Sequence, residues 1–180
     1  MRRPVFVTGP SRSGTSLIAG LICLHGVWFG PCVRPRPINP RGFYESVFVK
    51  QCAKHGNFQQ FARRWDQYRL ENDAPSLWGV KTGAQFYKHF ADYRPLVIVT
   101  QREQKQILIS RIKAGFSAGP AAINQAHRYI DLIPQPEFIR PGDVVKGDYT
   151  RLEEIIHRIG LPFDSYICER FIKQELWHGG

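Results

Sequence analysis

A three-layer α/β fold, with a central parallel sheet flanked by helices, is what the apolar pattern predicts for this chain of 180 residues. Three observations carry the prediction. Short apolar runs such as Val5-Phe6-Val7 and Leu96-Val97-Ile98-Val99 have the length and composition of strands buried on both faces. Helix-length segments separate these runs. The length, with 43% hydrophobic residues that include four Trp, seven Tyr and twelve Phe, supports one packed core and is too small for two well-developed ones. Residues 1–180 therefore read as a single domain without repeats or low-complexity tracts.

Along the chain, residues 5–8 form a buried strand and 15–25 a largely apolar helix, both at the centre of the sheet. Residues 26–42 contain Pro31, Pro35, Pro37 and Pro40, which exclude regular helix and leave a long surface loop suited to a substrate rim. Residues 45–55 and 58–70 read as helices, with Phe48, Phe58, Phe61 and Trp65 available for packing. A short strand over 77–81, a helix around 84–90, a strand over 95–101 and a helix over 103–113 follow. After a mobile break at 115–119 come a helix over 121–133, a strand over 143–146 and a helix over 151–159 stopped by Gly160 and Pro162. Residues 163–176 form a terminal helix, with Gly179-Gly180 frayed beyond it. Strands that alternate with helices imply a doubly wound sheet whose ligands sit at the carboxyl ends of the strands.

The run Gly9-Pro10-Ser11-Arg12-Ser13-Gly14-Thr15-Ser16 joins the first strand to the first helix. A helix starting near Gly14 aims unpaired backbone N–H groups and its positive dipole end into this turn, which favours a phosphate or sulfate oxygen. Set against the nucleoside-triphosphate pattern G-x-x-x-x-G-K-S/T, the turn maps through Gly9, Gly14, Thr15 and Ser16, with Thr15 standing where the lysine belongs. The strand at 96–99 runs into Thr100-Gln101-Arg102, a basic ending in place of a Walker-type aspartate. A Mg²⁺-dependent phosphotransferase fits poorly.

With the cation moved into the loop, Arg12-Ser13-Gly14-Thr15-Ser16 resembles the 5′-phosphosulfate loop, K/R-S/T-G-T-S/T, of sulfotransferases that use 3′-phosphoadenosine-5′-phosphosulfate (PAPS). Arg102 and Ser110 are similar to that family's strand-end arginine and the serine eight residues on, which bind the 3′-phosphate that sets PAPS apart from ATP. Less specific likenesses are Asn39-Pro40-Arg41-Gly42-Phe43-Tyr44-Glu45 to an N-P-x-G-Y/F-x-E segment, Trp78-Gly79-Val80-Lys81 to a W-G-x-K strand, and Asp148-Tyr149-Thr150-Arg151-Leu152 to a Y-E-x-L turn. The last departs from the usual order, and the family's C-terminal R-K-G-x-x-G motif is absent. The resemblance runs from Val5 to about Leu161. It implies a P-loop-like sulfotransferase domain with PAPS as co-substrate and no metal. The implied cofactor contacts are Ser11, Arg12, Ser13, Gly14, Thr15, Ser16, Arg102 and Ser110, with Tyr149 a candidate on the adenosine side. The chain is short for the family, so the parts that cover the acceptor are minimal or come from another subunit.

Magnitudes require both subsites. Micromolar affinity needs about 8 kcal/mol, whereas a helix terminus supplies about 0.3–2 kcal/mol and a charged hydrogen bond about 1.5–3 kcal/mol. In sulfuryl transfer, negative charge grows on the leaving phosphate's bridging oxygen, and Arg12, by analogy with the family's lysine, is placed to meet it, with Lys81 as the second cation. The sulfuryl group carries less charge than a phosphoryl group, so a metal need not be used. A general base must take the acceptor's proton. Glu45, after the proline-rich loop, is the first choice, and His25 and Asp148 are the alternatives, although His25 would equally end the first helix and Asp148 cap a later one.

Twenty-five Lys and Arg against fifteen Asp and Glu give a net charge of +10, which draws anionic partners. PAPS meets that need, as would an acceptor that is an acidic carbohydrate, a peptide or a small molecule. No basic helix, RNP-like stretch or zinc spacing points to specific nucleic-acid binding. Cys23, Cys32, Cys52 and Cys168 show neither metal-site nor disulfide-framework spacing and read as free thiols. With no signal peptide and no membrane-spanning run, the chain reads as cytoplasmic. A divergent P-loop nucleotide kinase and a non-catalytic nucleotide- or polyanion-binding module are the competing readings.

Overall fold

A computed structural model of the chain describes residues 3–37, 39–116 and 119–172. At its centre lies β1 (Val5–Thr8), fully buried, with β2 (Gly79–Lys81) on one side and β3 (Leu96–Thr100) on the other; β4 (Glu137–Ile139) pairs with the far edge of β3. All three pairings are parallel, with Val5 opposite both Gly79 and Leu96. Parallel neighbours need crossover connections, and helices supply them.

Side chains alternate across a strand, so β1 feeds two cores. Val5 and Val7 face one cluster, which contains Ile18, Leu21 and Ile22 of α1 (Thr15–Leu24) and the apolar stripe Leu152, Ile155, Ile156 and Ile159 of α7 (Thr150–Ile159). That stripe has helical spacing, and Gly160 closes the helix in the left-handed conformation at φ 84°. Phe6 faces the opposite cluster, built on Val49 and Cys52 of α2 (Val47–Lys54), Phe61 and Trp65 of α3 (Phe61–Glu71), and Trp78, Val80 and Phe90. The result is a four-stranded parallel sheet flanked by helices, as expected from sequence.

Several elements differ from expectation. The strand expected at 143–146 is the helix α6 (Pro141–Val145), and the fourth strand lies earlier, at β4. Pro141 fixes a helical φ at the first helical position, and β4 is an edge strand with only Ile139 buried, so its sequence carries no apolar run. The helix expected around 84–90 is a 3₁₀ helix, Ala84–His89, followed by a second, Ala91–Tyr93. The helices expected to start at 45 and 58 start at Val47, capped by the Ser46 hydroxyl, and at Phe61, after Gln60 at φ 50°. The helix α4 (Gln104–Lys113) agrees closely with sequence, and α5 (Ala121–Ile130) stops three residues short of its expected end at 133. The terminal helix α8 (Ser165–Phe171) starts behind the Asp164 cap and ends where Ile172 turns extended at ψ 124°. The remainder of that expected helix and the Gly179-Gly180 end lie outside the described residues, as do Ser117 and Ala118 in the break expected at 115–119. Among the described residues no helix is long and apolar enough to cross a membrane.

Candidate functional site

The carboxyl ends of β1, β2 and β3 open into one cavity of about 760 Å³, within the roughly 300–1,000 Å³ typical of sites for small molecules and cofactors. Its floor is the turn from β1 to α1. Gly9 starts the turn pressed against β3: a Cβ there would lie 2.2 Å from Thr100 Oγ1 and 3.0 Å from the Thr100 carbonyl. Arg12 and Gly14 then adopt left-handed backbone, at φ 75° and 98°. Gly14 caps α1 with no side-chain acceptor for its first N–H groups, so those donors face the turn. Ser13 turns its hydroxyl the other way, 2.6 Å from Thr100 Oγ1 and fully buried. Ser11, Thr15 and Ser16 line the cavity, whereas Ser13 braces the turn against β3.

Two pieces of chain 98 residues apart meet at Arg12. Its Nε donates to Ser110 Oγ at 3.1 Å, and its carbonyl accepts from Arg102 Nη1 at 3.0 Å. Arg102 leaves the end of β3, and Ser110 projects from α4 with only 2% exposure. All three line the cavity. Burial lowers the pKa of both guanidiniums, and the charge of Arg12 lowers that of Arg102 further. Two half-buried cations this close repel one another, and an anion between them would relieve that repulsion.

A second polar knot stands beside the turn. Lys81, at the end of β2, has a side chain only 8% exposed, and its Nζ donates to Ser16 Oγ at 3.1 Å, the Phe43 carbonyl at 2.9 Å and Glu45 Oε1 at 3.0 Å. These use all three ammonium donors. Burial lowers the Lys81 pKa, and Glu45 partly opposes that shift. The knot ties together β2, α1 and the proline-rich loop. Glu45 and Lys81 also form a parallel backbone bridge, which carries Glu45 to the sheet's edge. The Glu45 carboxylate remains 36% exposed on the cavity wall, with Oε2 3.8 Å from Lys50 Nζ.

Three sequence candidates fall elsewhere. His25 is buried at the end of α1, bonded through Nδ1 to the Leu21 carbonyl, accepting from the Asp164 N–H through Nε2, and stacked on Phe163. Asp148 accepts from the Thr150 N–H at the first residue of α7. Tyr149 packs on Phe163 and is not among the residues lining the cavity. Other lining residues were not singled out from sequence. Arg36 comes from the proline-rich loop, Lys50 from α2, and Ala122, Gln125, Ala126 and Tyr129 form one stripe of α5. Only that stripe, with its i, i+3, i+4, i+7 spacing, carried a readable signal. Among the described residues no group of three or more His, Cys, Asp or Glu side chains is arranged to hold a metal ion. Set against known protein families and against curated proteins, the chain matches none.

Proposed function

We propose that the chain binds PAPS and transfers its sulfuryl group to a hydroxyl or amine of an acceptor, on a P-loop-like fold. The observation that carries the reading is the meeting of the glycine turn with the distant Arg102/Ser110 pair at Arg12, inside one cavity. A donor with anionic groups at two positions calls for two such groups of donors side by side. Arg12, Arg102 and Ser110 offer planar forked donors and a hydroxyl, the chemistry that binds phosphate oxygens.

In the reaction the acceptor oxygen bonds to sulfur, and the bond from sulfur to the phosphate's bridging oxygen breaks. The electron pair passes to that oxygen, leaving 3′,5′-ADP. The N–H groups at the start of α1 and the Arg12 guanidinium meet the charge that develops there. Glu45 takes the acceptor's proton. Lys81, with its donors committed to Ser16, Phe43 and Glu45, acts chiefly by positioning the carboxylate and the turn.

Titration calorimetry with 3′,5′-ADP and ADP, paired with transfer of ³⁵S from labelled PAPS to a mixed acceptor panel, tests the reading. The 3′-phosphate raises affinity by about tenfold or more, equivalent to one charged hydrogen bond. Arg102→Ala removes that preference. Equal affinity for the two nucleotides, unchanged by Arg102→Ala, refutes the proposal.

A further inference from the structure

The cavity carries more positive charge than the nucleotide end accounts for. Among the described residues, six Lys and Arg side chains line it against one carboxylate, that of Glu45. Arg12 and Arg102 belong with Ser110 at the turn, and Lys81 is committed to three internal acceptors. The remaining three, Arg36, Arg41 and Lys50, come from one stretch, the proline-rich loop and the start of α2.

Folding makes little use of these three. Arg36 is exposed and has no side-chain partner among the described residues. Lys50 is 58% exposed, and its ion pair with Glu45 is long at 3.8 Å. Arg41 lies over the Phe171 ring, 5.3 Å from its centroid, and donates one bond to the Arg170 carbonyl, which leaves donors of its fork to spare. Among the described residues, three amides, Asn39, Gln85 and Gln125, line the same cavity. An amide offers both a donor and an acceptor, which suits a hydroxyl, and guanidinium or ammonium groups suit a carboxylate or sulfate. Cations interleaved with such amides match a ring that carries hydroxyls and acidic groups together, and an acidic peptide of equal charge is the competing occupant that the test below separates.

We infer that this edge is the acceptor subsite and that it takes an acidic saccharide, whose hydroxylated rings carry carboxylate or sulfate groups. The inference rests on the proposed sulfuryl transfer for the fate of the hydroxyl; recognition of the saccharide is independent of it. Lys50 and Arg36 hold the acidic groups, and a neighbouring hydroxyl reaches Glu45.

Calorimetry with an unsulfated uronate-containing tetrasaccharide, its carboxyl-reduced form, a glutamate-rich peptide of equal charge and 3′,5′-ADP tests this. The tetrasaccharide binds, and carboxyl reduction weakens it by about tenfold. Arg36→Ala and Lys50→Ala each weaken it by about twofold to fivefold, as exposed charge pairs do, and leave 3′,5′-ADP binding unchanged. Arg36→Lys restores most of the loss. Binding that survives carboxyl reduction, that neither substitution moves, or that is tighter for the peptide overturns the inference. Binding of 3′,5′-ADP without the tetrasaccharide refutes this subsite alone. Binding of the tetrasaccharide without 3′,5′-ADP keeps the subsite and refutes the sulfuryl-transfer reading.

Discussion

Replacing Lys81 by methionine keeps most of the buried stem and removes the ammonium that ties α1, the proline-rich loop and β2 together. The wild-type Nζ makes three hydrogen bonds, to Ser16, Phe43 and Glu45. Hydrogen bonds from a charged group contribute about 1.5–3 kcal/mol each, against an effective penalty of several kcal/mol for burying the ion. The abandoned acceptors are not sealed off. Ser16, Phe43 and Glu45 all line the cavity, and Glu45 is 36% exposed, so water replaces part of what is lost. The net cost is therefore about 1–3 kcal/mol, below the ~3–5 kcal/mol for breaking a fully enclosed pair. At about 2–4 °C per kcal/mol for a chain of this size, the melting temperature falls by roughly 2–12 °C. Lys81→Ala costs more, since the stem adds about 0.8 kcal/mol per buried CH₂ removed. Urea unfolding followed by circular dichroism, at constant m, measures both variants. A Lys81→Met protein as stable as wild type, or more so, would show that the buried ammonium is a net burden and refute the reasoning.

Two further outcomes follow from the same geometry. Glu45→Gln keeps an acceptor for Lys81 but cannot take a proton, so on the proposed reaction it lowers the catalytic rate by about 10²–10⁴-fold with little change in 3′,5′-ADP affinity; an unchanged ³⁵S-transfer rate assigns the base elsewhere. Burial pushes the Cys32 and Cys168 thiols from 9.0 up to about 11. A raised thiol pKa gives stability that is complete below pH 9 and is lost as pH climbs from 9 towards 11. Urea midpoints across that window therefore fall more steeply in wild type than in a Cys32→Ala/Cys168→Ala variant, and parallel slopes would contradict this.

The parts legible in sequence were those whose signal is local. Val5–Thr8, the glycine turn, α1, β3 and α4 follow from apolar runs, glycines and helix-length spacing that hold whatever the rest of the chain does. β4 is not legible in the sequence, because this edge strand buries one residue in three and so lacks an apolar run. The segment after it carries two valines, which favour a strand, but the proline at its head fixes a helical φ and starts α6 instead. His25, Asp148 and Tyr149 had plausible chemistry, yet each is occupied by a helix end or a packed ring. Their roles depend on α7, α8 and Phe163, which no local pattern locates.

By itself the sequence determined that a strand ends in a glycine-rich turn leading into a helix, that a basic residue stands in that turn, and that the chain is strongly cationic. These depend on backbone geometry and composition, which act over a few residues. Tertiary structure decided which distant groups share the cavity. Ser110 reaches Arg12 across 98 positions, and Lys81 reaches Glu45 across 36. It also decided that Ser13 faces β3 and that Lys81 has its donors committed. Such pairings follow from parallel strands placed side by side by burial of their apolar faces on two cores, a cooperative outcome of the whole chain.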